Sequence, residues 1–287
     1  MVEFNGIWVP LVTPFRAGAV DLPALRRLVQ HLAAQGVAGF VACGSTGEAA
    51  MLTEAEQDSV LGTTLDAASG KPVLMGLAGV DARAIALRAQ ALAARHRPSG
   101  WLLAPPAYVK PSQAGIVQHF HTVASATPLP LVAYDVPART GVRIQPGTLM
   151  ALADHPQVTA VKDCSGDRAA AEAVLADGRL ALLGGNDDEL FDQLARGAAG
   201  GITASAHLAT RAFVQLATAL RGGGLADARA LWRRLAPITQ AAFAEPNPAV
   251  IKGALARQGW MADLLRPPML PAAPASVAAL LAAADGF

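Results

Sequence analysis

The chain has 287 residues, 53% hydrophobic and 16% charged, which is ample apolar material for a sizeable core and too little charge for a disordered chain. Its 23 basic and 22 acidic residues leave a net charge of +1 with no basic block or stripe, which argues against nucleic acid or an anionic membrane as partner. No apolar stretch reaches the roughly 18 residues of a membrane span, the N-terminus lacks a signal-peptide pattern, and two cysteines, Cys43 and Cys164, cannot form a disulfide framework. The expectation is a cytoplasmic globular protein.

In chain order, short apolar runs alternate with Ala/Leu-rich segments of helical periodicity. The runs are GIWVPLV near Ile7, GFVAC near Val41, PVLMG near Leu74, GWLLA near Leu102, PLVAY near Val132, VTAVK near Ala160, LALLG near Leu182 and GGITAS near Ile202. Helix openings are expected at Asp21 with Pro23, at Thr53 with its acidic first turn, and at Asp81, Ser112, Gln145, Asp167 and Asp187. Eight such units, most lacking strict alternation, predict buried parallel strands closed into a (β/α)8 TIM barrel over residues 1–224. An open doubly wound sheet is the alternative. After Gly222-Gly223-Gly224 the pattern is only helical, so residues 225–287 are expected to form a C-terminal helical extension.

In such a barrel the chemistry sits at the C-terminal ends of the strands. Lys162 ends the run VTAVK, in a chain with three other lysines (Lys71, Lys110 and Lys252). A buried ammonium is costly unless paired or deprotonated, and desolvation leaves a nucleophile able to form an imine with a carbonyl compound. Pairing with Asp163 or Glu48 at the barrel mouth is the other reading. Tyr134 ends the neighbouring run and can relay protons or simply cap the core. Ser45-Thr46, between glycines, offers hydroxyls and backbone N–H groups for a carboxylate, and Arg139 offers a bidentate fork or a loop salt bridge. The glycine pairs at 184–185 and 200–201 would alternatively bind phosphate. The six histidines lack metal-ligand spacing, His119 and His121 are expected on the surface, and nothing in the chain calls for a metal, nucleotide or flavin.

Five segments in order, GSTGE (44–48), PAYVKPSQAG (106–115), YDVPARTG (134–141), VKDCSGD (161–167) and GITAS (201–205), resemble the dihydrodipicolinate synthase/N-acetylneuraminate lyase family of pyruvate-dependent class I aldolases. The resemblance runs from about residue 4 to residue 225, with similar helices after it. It implies a (β/α)8 barrel in a homotetramer built as a dimer of dimers, without cofactor. It implies Lys162 as the Schiff-base residue and Tyr134 as proton relay, with Ser45 and Thr46 holding the pyruvate carboxylate and continuing the relay. Tyr108 would reach into a neighbouring subunit's site, Arg139 would hold the aldehyde's carboxylate, and Gly185 and Ile202 would line the imine pocket. The synthase branch, which condenses pyruvate with L-aspartate-4-semialdehyde, is the nearer match.

Departures keep other readings open. Ser45 and the pair Asp187-Asp188 are similar to sugar-acid lyases, in which the acidic pair holds a polyol. Asp135 stands where the family has Asn, and Asp163-Cys164-Ser165 replaces a Glu-Ala-Thr type run. The alternatives are an aldolase, lyase or dehydratase for 2-keto-3-deoxy sugar acids, N-acetylneuraminate or hydroxy-oxo acids, or a non-catalytic keto-acid-binding barrel. Where lysine-inhibited synthases carry a polar regulatory pocket, this sequence has Glu54, Gln57 and Ala107, which implies weak or absent inhibition by L-lysine.

Overall fold

A computed structural model describes residues 2–287. The strands are β1 (Gly6–Pro10), β2 (Phe15–Arg16), β3 (Ala19–Val20), β4 (Gly39–Ala42), β5 (Val73–Leu77), β6 (Gly100–Leu103), β7 (Leu131–Asp135), β8 (Val158–Asp163), β9 (Ala181–Gly184) and β10 (Gly200–Ile202). All but β2 and β3 are parallel and close into a barrel in the order β1-β10-β9-β8-β7-β6-β5-β4. Closure rules out the open sheet. The eight barrel strands are the eight apolar runs, and they read as apolar because each is covered on both faces. The pair β2–β3 is a small antiparallel hairpin between β1 and the first helix, too short to register as an apolar run.

The barrel is filled by Trp8, Val41, Leu74, Leu102, Val132, Ala160, Leu183 and Ile202, with Phe4 closing the N-terminal end. Trp8 is fully buried and lies on Gly39, where any Cβ would overlap the indole ring. A second apolar layer between strands and helices continues without a break into Leu235, Ile238, Val250 and Ile251. Residues beyond 224 therefore share the barrel's core. They form helices Leu225–Ala242, Ala249–Arg257 and Pro274–Ala284.

Helix starts follow the capping residues. Asp21 accepts the Ala24 N–H, Thr53 and Glu56 form a reciprocal capping box, and Asp81, Ser112 and Asp167 cap their helices through side-chain oxygens. Gln145 precedes Pro146 without a side-chain cap. Asp187 departs from expectation. It begins a single 3₁₀ turn, the helix proper is Leu190–Ala195, and the Asp187 carboxylate turns inward instead. His119 also departs: it is buried on helix Gln113–Ala124, where desolvation lowers its pKa. No helix among the described residues is long and apolar enough to cross a membrane.

Candidate active site

Lys162 and Tyr134 are register partners at the C-terminal ends of β8 and β7. The Lys162 side chain is only 5% exposed, and its ammonium lies 4.4 Å from the centroid of the Tyr134 ring, within the range of a cation–π contact. Ser45, Lys162 and Cys164 surround the Tyr134 side chain and bear on its ionisation. Burial raises the Tyr134 pKa against the opposing pull of Lys162, so the phenol is protonated at neutral pH and can both give and receive a proton.

The two carboxylates that could have paired with Lys162 are engaged elsewhere. Glu48 is fully buried and bonds the Lys252 ammonium at 2.6 Å, while its other oxygen accepts the Arg266 N–H at 2.9 Å. Asp163 accepts the Ser165 N–H and hydroxyl at 2.8 and 2.6 Å, and the Gln193 amide at 3.2 Å. Desolvation pulls the Lys162 amine down, but Tyr134, Cys164 and Asp187 raise it by more, so its pKa stands above the ordinary lysine value. Burial alone, the sequence argument for a free amine, is therefore outweighed here. The resting group is an ammonium that must pass a proton on before it attacks a carbonyl, and the tyrosine hydroxyl is the group in reach.

The loop Gly44–Glu48 brings Ser45 and Thr46 beside this pair. It is pinned by the Thr13 hydroxyl donating to the Gly47 carbonyl at 2.6 Å and by the left-handed backbone of Glu48. Asn247 donates its amide to the Thr46 hydroxyl oxygen at 2.9 Å, which leaves the hydroxyl proton free to point at an incoming anion. Asn247 lies 201 residues away in sequence, and the sequence reading missed it. The segment PNPAVIK, two prolines and an isolated lysine around an asparagine, was the available signal. Lys252, in the same segment, also donates to the Thr13 carbonyl at 2.8 Å, so helix Ala249–Arg257 anchors the hydroxyl loop from below.

Ser45, Leu102, Ala107, Tyr134, Val136 and Arg139 line a cavity of about 320 Å³ at this end of the barrel. Arg139 is exposed at the end of the short helix Pro137–Thr140, free to meet a substrate carboxylate. Gly185 is required beside the lysine, because a Cβ there would strike the Cys164 sulfur and come within 3.0 Å of Lys162 Cε. Ile202, 1% exposed, closes the inner core against which Tyr134 packs. Asp187 is 3% exposed and accepts the backbone N–H groups of Ala204 and Ser205 at 3.3 and 2.6 Å. It holds the loop after β10, while Asp188 is exposed. Tyr108 is not brought to the cavity: it is 93% exposed, on a backbone with φ of 73°. Gly184, Gly200 and Gly201 are accounted for by close contacts with Gln193, Gly6 and Leu190, which removes the reason for a phosphate reading. Among the described residues no group of three or more His, Cys, Asp or Glu side chains is placed to share a metal ion.

Residues 3–284 match the dihydrodipicolinate synthetase family. The chain is 35% identical to a 4-hydroxy-tetrahydrodipicolinate synthase of Exiguobacterium sp., over 99% of this chain and 98% of that protein. It is 38% identical to one of Kineococcus radiotolerans, over 97% and 92%. A crystal structure of the chloride-inhibited dihydrodipicolinate synthase from Acinetobacter baumannii complexed with pyruvate superposes with a TM-score of 0.93 at 31% identity, covering 97% of each chain. With a closed barrel, a strand-end lysine beside a tyrosine, and a match along nearly its whole length, this chain belongs to the dihydrodipicolinate synthetase family.

Proposed function

We propose that the protein is a class I, Schiff-base-forming lyase that condenses pyruvate with L-aspartate-4-semialdehyde, a 4-hydroxy-tetrahydrodipicolinate synthase of lysine biosynthesis. The observation that carries this reading is a buried lysine with no carboxylate partner, in contact with a protonated tyrosine that lines one cavity together with Ser45. The names of the relatives support it. Thr46, oriented by Asn247, and Ser45 hold the pyruvate carboxylate. Tyr134 accepts the Lys162 proton as it passes its own phenolic proton on toward the Ser45 and Thr46 hydroxyls, the neutral amine adds to the keto carbon, and the keto oxygen leaves as water to give the imine. Loss of a C3 proton makes the nucleophilic enamine, which bonds the aldehyde carbon, with Arg139 fixing that substrate's carboxylate.

In this reading residues 1–224 are the catalytic barrel and residues 225–287 brace its hydroxyl loop. Tyr108, with the exposed Val80, Leu87 and Val109, belongs to a subunit interface of a cytoplasmic homotetramer, where the tyrosine completes the partner's relay. The engagement of Asp187 with backbone N–H groups removes one of the two acids that a polyol substrate would use, and this favours the semialdehyde over a sugar acid. The test is a panel of kcat/KM values with pyruvate fixed, comparing the semialdehyde with glyceraldehyde, N-acetylmannosamine and glyoxylate, together with cleavage of 2-keto-3-deoxy sugar acids. The semialdehyde is expected to lead, and Arg139→Leu to depress it while borohydride trapping of pyruvate on Lys162 continues. A sugar-derived substrate at the head of the panel would replace the synthase reading with the aldolase one.

A further inference from the structure

The condensation proposed above gives no task to the second thiol of the chain. Cys164 lies two residues beyond Lys162, just after the end of β8, beside the same tyrosine. The sulfur and Lys162 Cε both border the small space left by the missing side chain of Gly185. Cys43, by contrast, directly follows β4 and borders the cavity described above, but it is buried and its thiol is turned to the backbone carbonyl of Gln57. The independent sign of a ligand at Cys164 is Lys162 itself, nine-tenths buried, without an ion-pair partner, and bordering the same space.

We propose that Cys164 and Lys162 form a two-point covalent trap for 2-keto acids that carry a leaving group at C3, the halopyruvates being the simplest. The proposal rests on the imine chemistry assigned to Lys162. The amine and the keto group first lose water to give the imine, which places C3 beside the sulfur. The sulfur then bonds C3 while the carbon–halogen bond breaks; halide leaves with the bonding pair, and the thiol proton passes through Tyr134 to solvent. Hydrolysis of the imine returns the lysine and leaves a thioether on Cys164. Burial holds the Cys164 thiol up at about 11, so an alkylating agent without a keto group meets a poor nucleophile. The iminium charge next to the sulfur and the fixed geometry supply what the free thiol lacks. The same thiol restricts the physiological repertoire: keto acids with a good leaving group at C3 inactivate this enzyme instead of turning over.

The experiment follows 3-bromopyruvate and iodoacetamide labelling by peptide mass spectrometry in the full-length protein, its Lys162→Ala and Cys164→Ser variants, and wild type protected by pyruvate. Bromopyruvate is expected to alkylate Cys164 at least about tenfold faster than iodoacetamide does. That advantage should vanish in Lys162→Ala and under pyruvate, and Cys43 should stay unlabelled. Cys164→Ser should resist inactivation while borohydride still traps pyruvate on its Lys162. Labelling that is equally fast in Lys162→Ala, or inactivation of Cys164→Ser at the wild-type rate, would overturn the trap. Borohydride trapping of pyruvate on Lys162, run in parallel, separates the two ideas: an adduct without Cys164 labelling rejects the trap alone, and no adduct rejects the imine chemistry beneath it.

Discussion

Two lysines are buried in this molecule, and the contrast between them explains what each is for. Lys252 is fully enclosed, bonded to Glu48 and to the Thr13 carbonyl, and set over the Phe15 ring at 4.3 Å. Lys162 is almost as deeply buried but is surrounded by hydroxyl and thiol groups, and no carboxylate lies within ion-pair distance. A satisfied buried charge is inert and organises what surrounds it; an unsatisfied one is held where a substrate will complete it. The protein keeps these roles at opposite ends of one short path, since Glu48 closes the loop whose Ser45 touches Tyr134.

That contrast is sharpest under substitution of the two amines. Lys162→Ala is expected to lower kcat/KM by at least about a thousandfold, as removal of a covalent nucleophile does, with the thermal midpoint little changed. Lys252→Met should show the reverse order of damage, about 3–5 kcal/mol of stability lost because the Glu48 carboxylate is left buried without its cation. Denaturant melts and steady-state rates on both variants decide the matter; equal losses of stability would erase the distinction. Next in size is Tyr134→Phe, which keeps the ring against the Lys162 ammonium and removes the hydroxyl. A fall in kcat of about a hundredfold or more is expected, with pyruvate binding nearly retained, and a variant with full kcat would remove tyrosine from the relay.

Smaller effects test the same rule on carboxylates and on a free amine. Asp135 is 1% exposed, and burial, reinforced by the nearby Asp163, raises its pKa to about 7. A raised carboxyl pKa makes ionisation costly in the fold, so stability is lost as pH climbs from the ordinary carboxylate range through about 7. Asp135→Asn should therefore gain thermal stability relative to wild type, and the gain should grow between about pH 4 and pH 8. A gain independent of pH would contradict the assignment. Free L-lysine meets the opposite of what Lys252 finds. In the cavity lined by Glu54, Gln57, Asp81, Ile85 and Arg88, Glu54 lies 3.6 Å from Arg88 and Gln57 donates to the Ala49 carbonyl. With those groups occupied, L-lysine at low millimolar concentration should leave the initial rate nearly unchanged; strong inhibition in a titration would show that the pairs yield to a ligand.

What could be read from the sequence was whatever leaves a local trace. Buried parallel strands announced themselves as apolar runs, and Asp21, Thr53, Asp81, Ser112 and Asp167 marked helix starts because a cap bonds residues only two or three positions away. Lys162 and Tyr134 stood out by scarcity and by place. Asp187 and His119 were misread because an acid before a helix, or a histidine on one, has the same local signature whether it faces solvent or the interior. Asn247 with Thr46, and Lys252 with Glu48, are bonded across 201 and 204 residues. Nothing within a helical turn or a strand pair encodes such a contact, and only folding brings the partners together.

The long separation between Glu48 and Lys252 has a consequence for how the protein comes into being. A growing chain presents Glu48, Tyr134 and Lys162 well before Asn247 and Lys252 have been translated. Until then the carboxylate destined for the interior has no cation, and the hydroxyl loop has Thr13 to hold it but neither Asn247 nor Lys252. Maturation of the reactive centre is thus tied to completion of the polypeptide, and a prematurely ended product carries the nucleophile without the means to use it.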